Sequence, residues 1–263
     1  MIWGTVDPFI EGGPVLGRRV ANATFLEAFL RADPYQAYHF FLADKAAGKT
    51  LLEWINERFP SLTERGSVVV DTRLNLGRRL ADTRYHCMHL SDIFTRYTNL
   101  TQTRNTYAAN IFPRTGLTHS LSYTHFMPQY LSHLWAGVSS RDAIIVTSES
   151  ARLAVRSIFD GLRQAYGFDE EHFPSPKLVT LTLGIAVENM PSPEQHWTKG
   201  DDESPGLAIR RGLCLGEEPL FLYFGRLCPY SNMYRLHLFA AWGRADKSGP
   251  PHKDCSLAPA GRA

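Results

Sequence analysis

The run Asp142-Ala-Ile-Ile-Val-Thr-Ser148 has no polar side. Four apolar residues in succession leave nothing to turn toward water, which is the pattern of a parallel strand covered on both faces. Ser148 or Ser150 then offers a helix cap. Beyond it Leu153, Val155, Ile158, Phe159 and Leu162 fall on one helical stripe. A strand needing cover above and below, followed at once by an amphipathic helix, is the repeating unit of an open α/β sheet.

The alternation extends toward the amino terminus. Apolar or β-branched runs predict strands at residues 2–6, 38–42, 67–70, 85–90 and 115–119. Helical spacing predicts helices at 17–32, 45–59, 92–109 and 126–135, with Asp92 as an N-cap. The first should end at Asp33-Pro34 and the second at Pro60, because proline disfavours helical backbone before it. The expectation is an open parallel sheet with helices on both faces over residues 1–175. Near Gly167 the texture changes: Pro174, Pro176, Pro191, Pro193, Pro205 and Pro219 surround an acidic Asp201-Asp202-Glu203 cluster. Residues 176–218 read as an interdomain crossing that includes a strand at 178–183. Leu220-Phe-Leu-Tyr-Phe224 then opens a second, incomplete α/β domain at 219–242. The Gly-, Pro-, Ala- and Lys-rich stretch 243–263 reads as a disordered tail.

Composition excludes several classes. With 263 residues, 44% of them hydrophobic, the chain can sustain a core without disulfides. Its four cysteines form no CxxC pair, which argues against a thiolate zinc site. A net charge of +2 is too balanced for a nucleic-acid binder. No apolar run approaches the ~20 residues of a membrane span, and no strongly basic amphipathic helix appears, so membrane contact is expected to be peripheral at most. The first residues lack a signal-peptide pattern. The expected location is cytoplasmic, and the Asn-x-Thr sequons at Asn22 and Asn99 read as chance matches.

Three groups invite chemistry. Gly12-Gly13, between a strand and a helix, can aim backbone N–H groups at a phosphate, or can serve only as a tight turn. His119 ends a strand, where α/β folds place ligands. It reads either as an acid, base or hydrogen-bond donor, or as a satisfied structural histidine; His125 is the weaker neighbour. Arg226, in Phe224-Gly-Arg-Leu227, is either a phosphate fork or a solvated arginine. His86 and His89, three apart in a strand, point to opposite faces and do not suit a chelate.

Taken in order, these pieces resemble the retaining glycosyltransferases of the GT-B fold, glycosyltransferase 4 type. The resemblance rests on Gly12-Gly13 before the first helix, Thr118-His119-Ser120-Leu121, and Asp142 through Arg152. It continues in Leu183-Gly-Ile-Ala186 and Leu222-Tyr-Phe-Gly-Arg-Leu227. It implies a Rossmann-like acceptor-side half followed by the start of the donor-side half. The implied activity is transfer of a hexose from a nucleotide-diphospho-sugar to a glycan or small-molecule acceptor, with no metal and no other cofactor. His119 would be the catalytic-site histidine contacting the sugar, and Gly12, Gly13 and Arg226 would bind the donor and its phosphates. The pattern departs from the family at Asn232, which stands at the place of a lysine, at Ala186 in place of an aspartate, and in lacking a Glu-x7-Glu pair. The expectation is therefore a truncated transferase, weak or inactive alone, self-associating through residues 220–242. The alternative is a non-catalytic module that binds a glycan or nucleotide sugar.

Overall fold

Among the described residues, seven strands lie side by side in one sheet, every neighbouring pair parallel. The structure, a computed structural model, describes residues 1–11, 17–121, 126–182 and 184. The strands are β1 (Ile2–Thr5), β2 (Ala37–Leu42), β3 (Val68–Thr72), β4 (Cys87–Leu90), β5 (Arg114–Leu117), β6 (Ala143–Val146) and β7 (Lys177–Thr180). Their spatial order is β3-β2-β1-β4-β5-β6-β7. The chain winds outward from β1 to β3, crosses back over, and winds outward again from β4. This is the doubly wound, Rossmann-like arrangement. The helices are α1 (Gly17–Ala32), α2 (Lys45–Arg58), α3 (Pro60–Glu64), α4 (Leu76–Asp82), α5 (Tyr97–Tyr107), α6 (Met127–Trp135) and α7 (Glu149–Tyr166).

Alternation of side chains along the strands sorts the core into two layers. Trp3, Tyr38, Phe40 and Leu42 pack with Leu26 and Leu30 of α1 and with Leu51 and Ile55 of α2. Val6, Phe41, Met88, Leu90, Ile144 and Val146 pack with Leu80, Tyr97, Leu100, Tyr130 and Phe159 on the opposite face. Phe40 and Phe41 are adjacent in sequence yet serve different layers, and both are buried. That is why Phe40-Phe41-Leu42 are apolar in succession, while the buried His39 is satisfied by the Tyr85 hydroxyl at 2.9 Å. On the second face α5 approaches closely. A Cβ added at Gly116 would lie 2.8 Å from Tyr97 Cδ2 and 3.0 Å from Ile93 Cγ2, so only glycine lets the helix settle there.

Several boundaries follow the local chemistry read from the sequence. Ser148 Oγ accepts from the Ala151 amide at 3.1 Å and starts α7, which Gly167 ends with φ 68°. Asp44 caps α2 in the same way, at 2.9 Å from the Ala47 amide. Pro60 ends α2 as expected but also opens α3 at its first turn, where its missing N–H is not needed. Two expectations need correction. Asp92 does not cap α5, which begins only at Tyr97. Its Oδ1 accepts from the Phe94 and Thr95 amides at 2.8 and 2.7 Å, closing a tight turn ahead of the helix. The chain also forms a 3-10 turn (Arg73–Asn75) and α4 on the way back from β3 to β4, elements the periodicity does not announce. The sheet extends past residue 175, since β7 pairs with β6 over residues 177–180.

Asp142, at the entry to β6, is fully buried between two fully buried arginines. It accepts from Arg104 Nη1 and Nη2 at 2.6 and 3.0 Å, from Arg114 Nη2 at 3.0 Å, and from the backbone amides of Arg114 and Ser139. Arg114 also stacks on the Tyr97 ring at 4.1 Å and donates to Thr101 Oγ1. The aspartate of the motif thus ties α5, β5 and β6 together.

No described helix is long and apolar enough to cross a membrane. Asn22 is 1% exposed, so its sequon is closed to modification in the folded chain. The second strand-forming stretch at 220–224, Asn232 and residues 243–263 lie outside the described residues.

Candidate functional site

In an open α/β sheet, ligands bind beyond the carboxyl ends of the strands where the winding reverses. Here that point lies between β1 and β4. The residues leaving these strands, and β5 beside them, are Asp7, Ser91, Asp92, Thr118 and His119.

Asp7 is 1% exposed. Its Oδ2 accepts from the Ser91 amide at 2.8 Å and the Ser91 hydroxyl at 2.9 Å, and its Oδ1 from Arg96 Nη1 at 3.1 Å. Burial, with the Asp92 charge beside it, still holds the Asp7 carboxyl above the usual carboxylate range, against the pull of Ser91 and Arg96. Asp92 in turn pairs with Arg18 Nη1 at 3.3 Å. Arg18, in the first turn of α1, also reaches Glu11 at 3.3 Å, and Arg19 Nε reaches the same Glu11 oxygen at 3.2 Å. Glu11 and α1 border residues 12–16, so Gly12 and Gly13 lie outside the described residues while their flanks are tied to this edge. Arg226 and His125 also lie outside them.

His119 stands on the same rim. Its Nε2 lies 2.8 Å from the Ser91 carbonyl oxygen, which can only accept, so Nε2 carries the proton. Nδ1 then presents a lone pair, and no described residue hydrogen-bonds to it. Burial, and then the nearby Arg18 charge, holds the ring below the ordinary histidine range, against the Ser91 carbonyl and Asp92. A neutral imidazole at a strand edge, with a nitrogen that no described residue engages, is suited to accept a hydrogen bond from a hydroxyl.

Beneath it, His89 is structural. Burial, and then the proximity of the His119 ring, which opposes a second proton, pushes it down to about 4. Its Nδ1 lies 2.7 Å from Thr115 Oγ1, and its ring packs 4.8 Å from that of Phe25. His86 lies just ahead of β4 rather than in it, exposed, with its ring 5.7 Å from that of Tyr35. The two histidines do not form a chelate, and among the described residues no group of three His, Cys, Asp or Glu side chains is placed to hold a metal.

On the α5 side of Asp7 the edge dips into a hollow of about 160 Å³, lined by Val6, Arg73, Leu76, Arg96, Asn99, Leu100 and Thr103. Sequence reasoning found His119 but missed Asp7, Arg18, Arg73 and Arg96, and took Asp92 for a helix cap. One signal was available: Asp7 and Ser91-Asp92 are the first polar residues after two predicted strands.

Fold and edge together define a doubly wound, Rossmann-like α/β protein with a polar, histidine-bearing rim at its switch point. No protein-family model matches the chain, and neither a curated protein nor a solved structure matches it.

Proposed function

We propose that this chain is the acceptor-side half of a retaining, nucleotide-diphospho-sugar-dependent glycosyltransferase of the GT-B type, acting in the cytoplasm. The carrying observation is His119: neutral, with Nε2–H held by Ser91 and Nδ1 bonded to no described residue, on the rim that also carries Arg18 and Glu11. In this reading Nδ1 accepts from a hydroxyl of the transferred sugar and fixes the anomeric carbon toward the acceptor. Gly12, Gly13 and Arg226 face the donor's phosphates. The ordered motifs and the strand order both support the assignment.

The test is calorimetric titration of the whole chain with UDP-, GDP- and ADP-hexoses, paired with an assay for released nucleoside diphosphate. The expected result is binding of one nucleotide sugar, weakened about fivefold or more in His119→Ala by loss of one hydrogen bond. Absence of binding to every nucleotide sugar, or binding unaffected by that change, overturns the proposal. Binding without release of diphosphate supports the second reading, a non-catalytic module. Asn232 favours that reading, because a neutral amide cannot offset charge developing on a leaving diphosphate.

A further inference from the structure

The hollow beside Asp7 carries an imbalance of charge. Arg73, on the turn after β3, and Arg96, just ahead of α5, both line it. Arg96 gives one N–H to Asp7 at 3.1 Å. Arg73 makes no hydrogen bond or ion pair with a described residue, and neither does the side-chain amide of Asn99 on the same wall. The two guanidiniums are close enough to oppose each other: burial and then Arg96 hold Arg73 below its usual range, with Asp7 and Asp44 acting the other way. Two forked cations thus meet over one contacting carboxylate, on a floor of Val6, Leu76 and Leu100.

We propose that this hollow binds a phosphomonoester. A dianion between the two arginines replaces their repulsion with attraction, and its tetrahedral oxygens suit two planar forks at once. The apolar floor strengthens both contacts by thinning the water around them. Size agrees: 160 Å³ corresponds to about five water volumes and falls below the roughly 300 Å³ at which whole-ligand pockets begin. It takes the charged group of a ligand whose remainder lies along the sheet edge. The site does not depend on sugar transfer, because its charge and shape stand whatever reaction His119 serves.

The experiment is isothermal titration of the full chain with inorganic phosphate, glycerol 3-phosphate and AMP, with acetate as a carboxylate control. Phosphate should bind at sub-millimolar to millimolar concentration and acetate far more weakly. Arg73→Ala should weaken phosphate binding about tenfold or more while leaving the unliganded melting temperature unchanged, because Arg73 holds no other described group. Arg73→Lys should fall between, keeping the charge and losing the fork. Asn99→Ala, on a different element, should weaken binding by a smaller factor. Tighter binding of glycerol 3-phosphate than of AMP assigns the group to a small phosphorylated substrate, and the reverse order assigns it to a nucleotide; either supports the site. No phosphate binding at millimolar concentration, equal binding of acetate, or unchanged affinity in Arg73→Ala overturns it.

Discussion

Replacing Asp142 with asparagine keeps the shape of the side chain and removes its charge. Arg104 and Arg114, both fully buried, would then face each other with no counter-ion. The Asn amide would also direct donors at groups that only donate. Breaking a buried ion pair by removing one partner costs about 3–5 kcal/mol. Here one carboxylate serves two guanidiniums and two backbone amides, so the expected loss is near 5 kcal/mol, at the top of that range. Folded domains hold only about 5–15 kcal/mol in all. The assay is urea unfolding followed by far-ultraviolet circular dichroism. With a denaturant slope of about 2 kcal/mol per molar, the midpoint should fall by roughly 2 M or more. Added salt should not reproduce the effect, because the pairs are closed to solvent ions. Replacing Arg104, Arg114 and Asp142 together by apolar residues of similar volume should recover most of the loss. A loss below about 1 kcal/mol for Asp142→Asn, the scale of an exposed pair, would refute the reasoning.

Two further outcomes follow from buried polar groups. Both amide atoms of Asn22 are buried without a hydrogen bond, so Asn22→Leu should stabilise the chain by about 1–3 kcal/mol in the same urea assay. Burial pushes His89 down to about 4 and His133 down to about 3, so both are neutral in the folded state. An unfolded histidine takes up its proton near pH 6.5. Stability supplied by the two rings is therefore complete above pH 6.5 and is lost as the pH falls toward 4, by roughly 3 kcal/mol per ring. The Asp142 contribution, from a carboxyl held below its usual range, is lost only further down, below about pH 4. Melting temperatures measured from pH 7 to pH 4 should fall steadily, and His133→Leu should make the slope shallower. A flat profile across that interval would contradict the buried, neutral rings.

What the sequence disclosed tracks how local each signal is. The strand at 143–146 and the cap at Ser148 were legible because apolar runs and side-chain caps act within a few residues. The helix at 76–82 was not, since only Leu76 and Leu80 are buried on it and two leucines make too faint a stripe. The start of α5 was misplaced because Asp92 bonds to amides two and three residues ahead, as a cap does, but closes an isolated turn. At the site, His119 was visible as a polar residue ending a strand. Arg73 was not, because its meeting with Arg96 depends on β3 and β4 sitting on either side of β2 and β1. No spacing along the chain encodes that order. The roles of Arg104 and Arg114 were hidden likewise, since arginines read as solvated until a carboxylate 28 or 38 residues away is brought to them.

That separation also bears on how the protein is born. A ribosome delivers Arg114 and then needs about 1.5–6 s, at 5–20 residues per second, to add the 28 positions leading to Asp142. Until Asp142 is in place, closing α5 onto the sheet would bury Arg104 and Arg114 with no counter-ion, which is strongly unfavourable. One aspartate at the entry to β6 thus makes packing of α5 on the sheet depend on a strand that follows it in the chain.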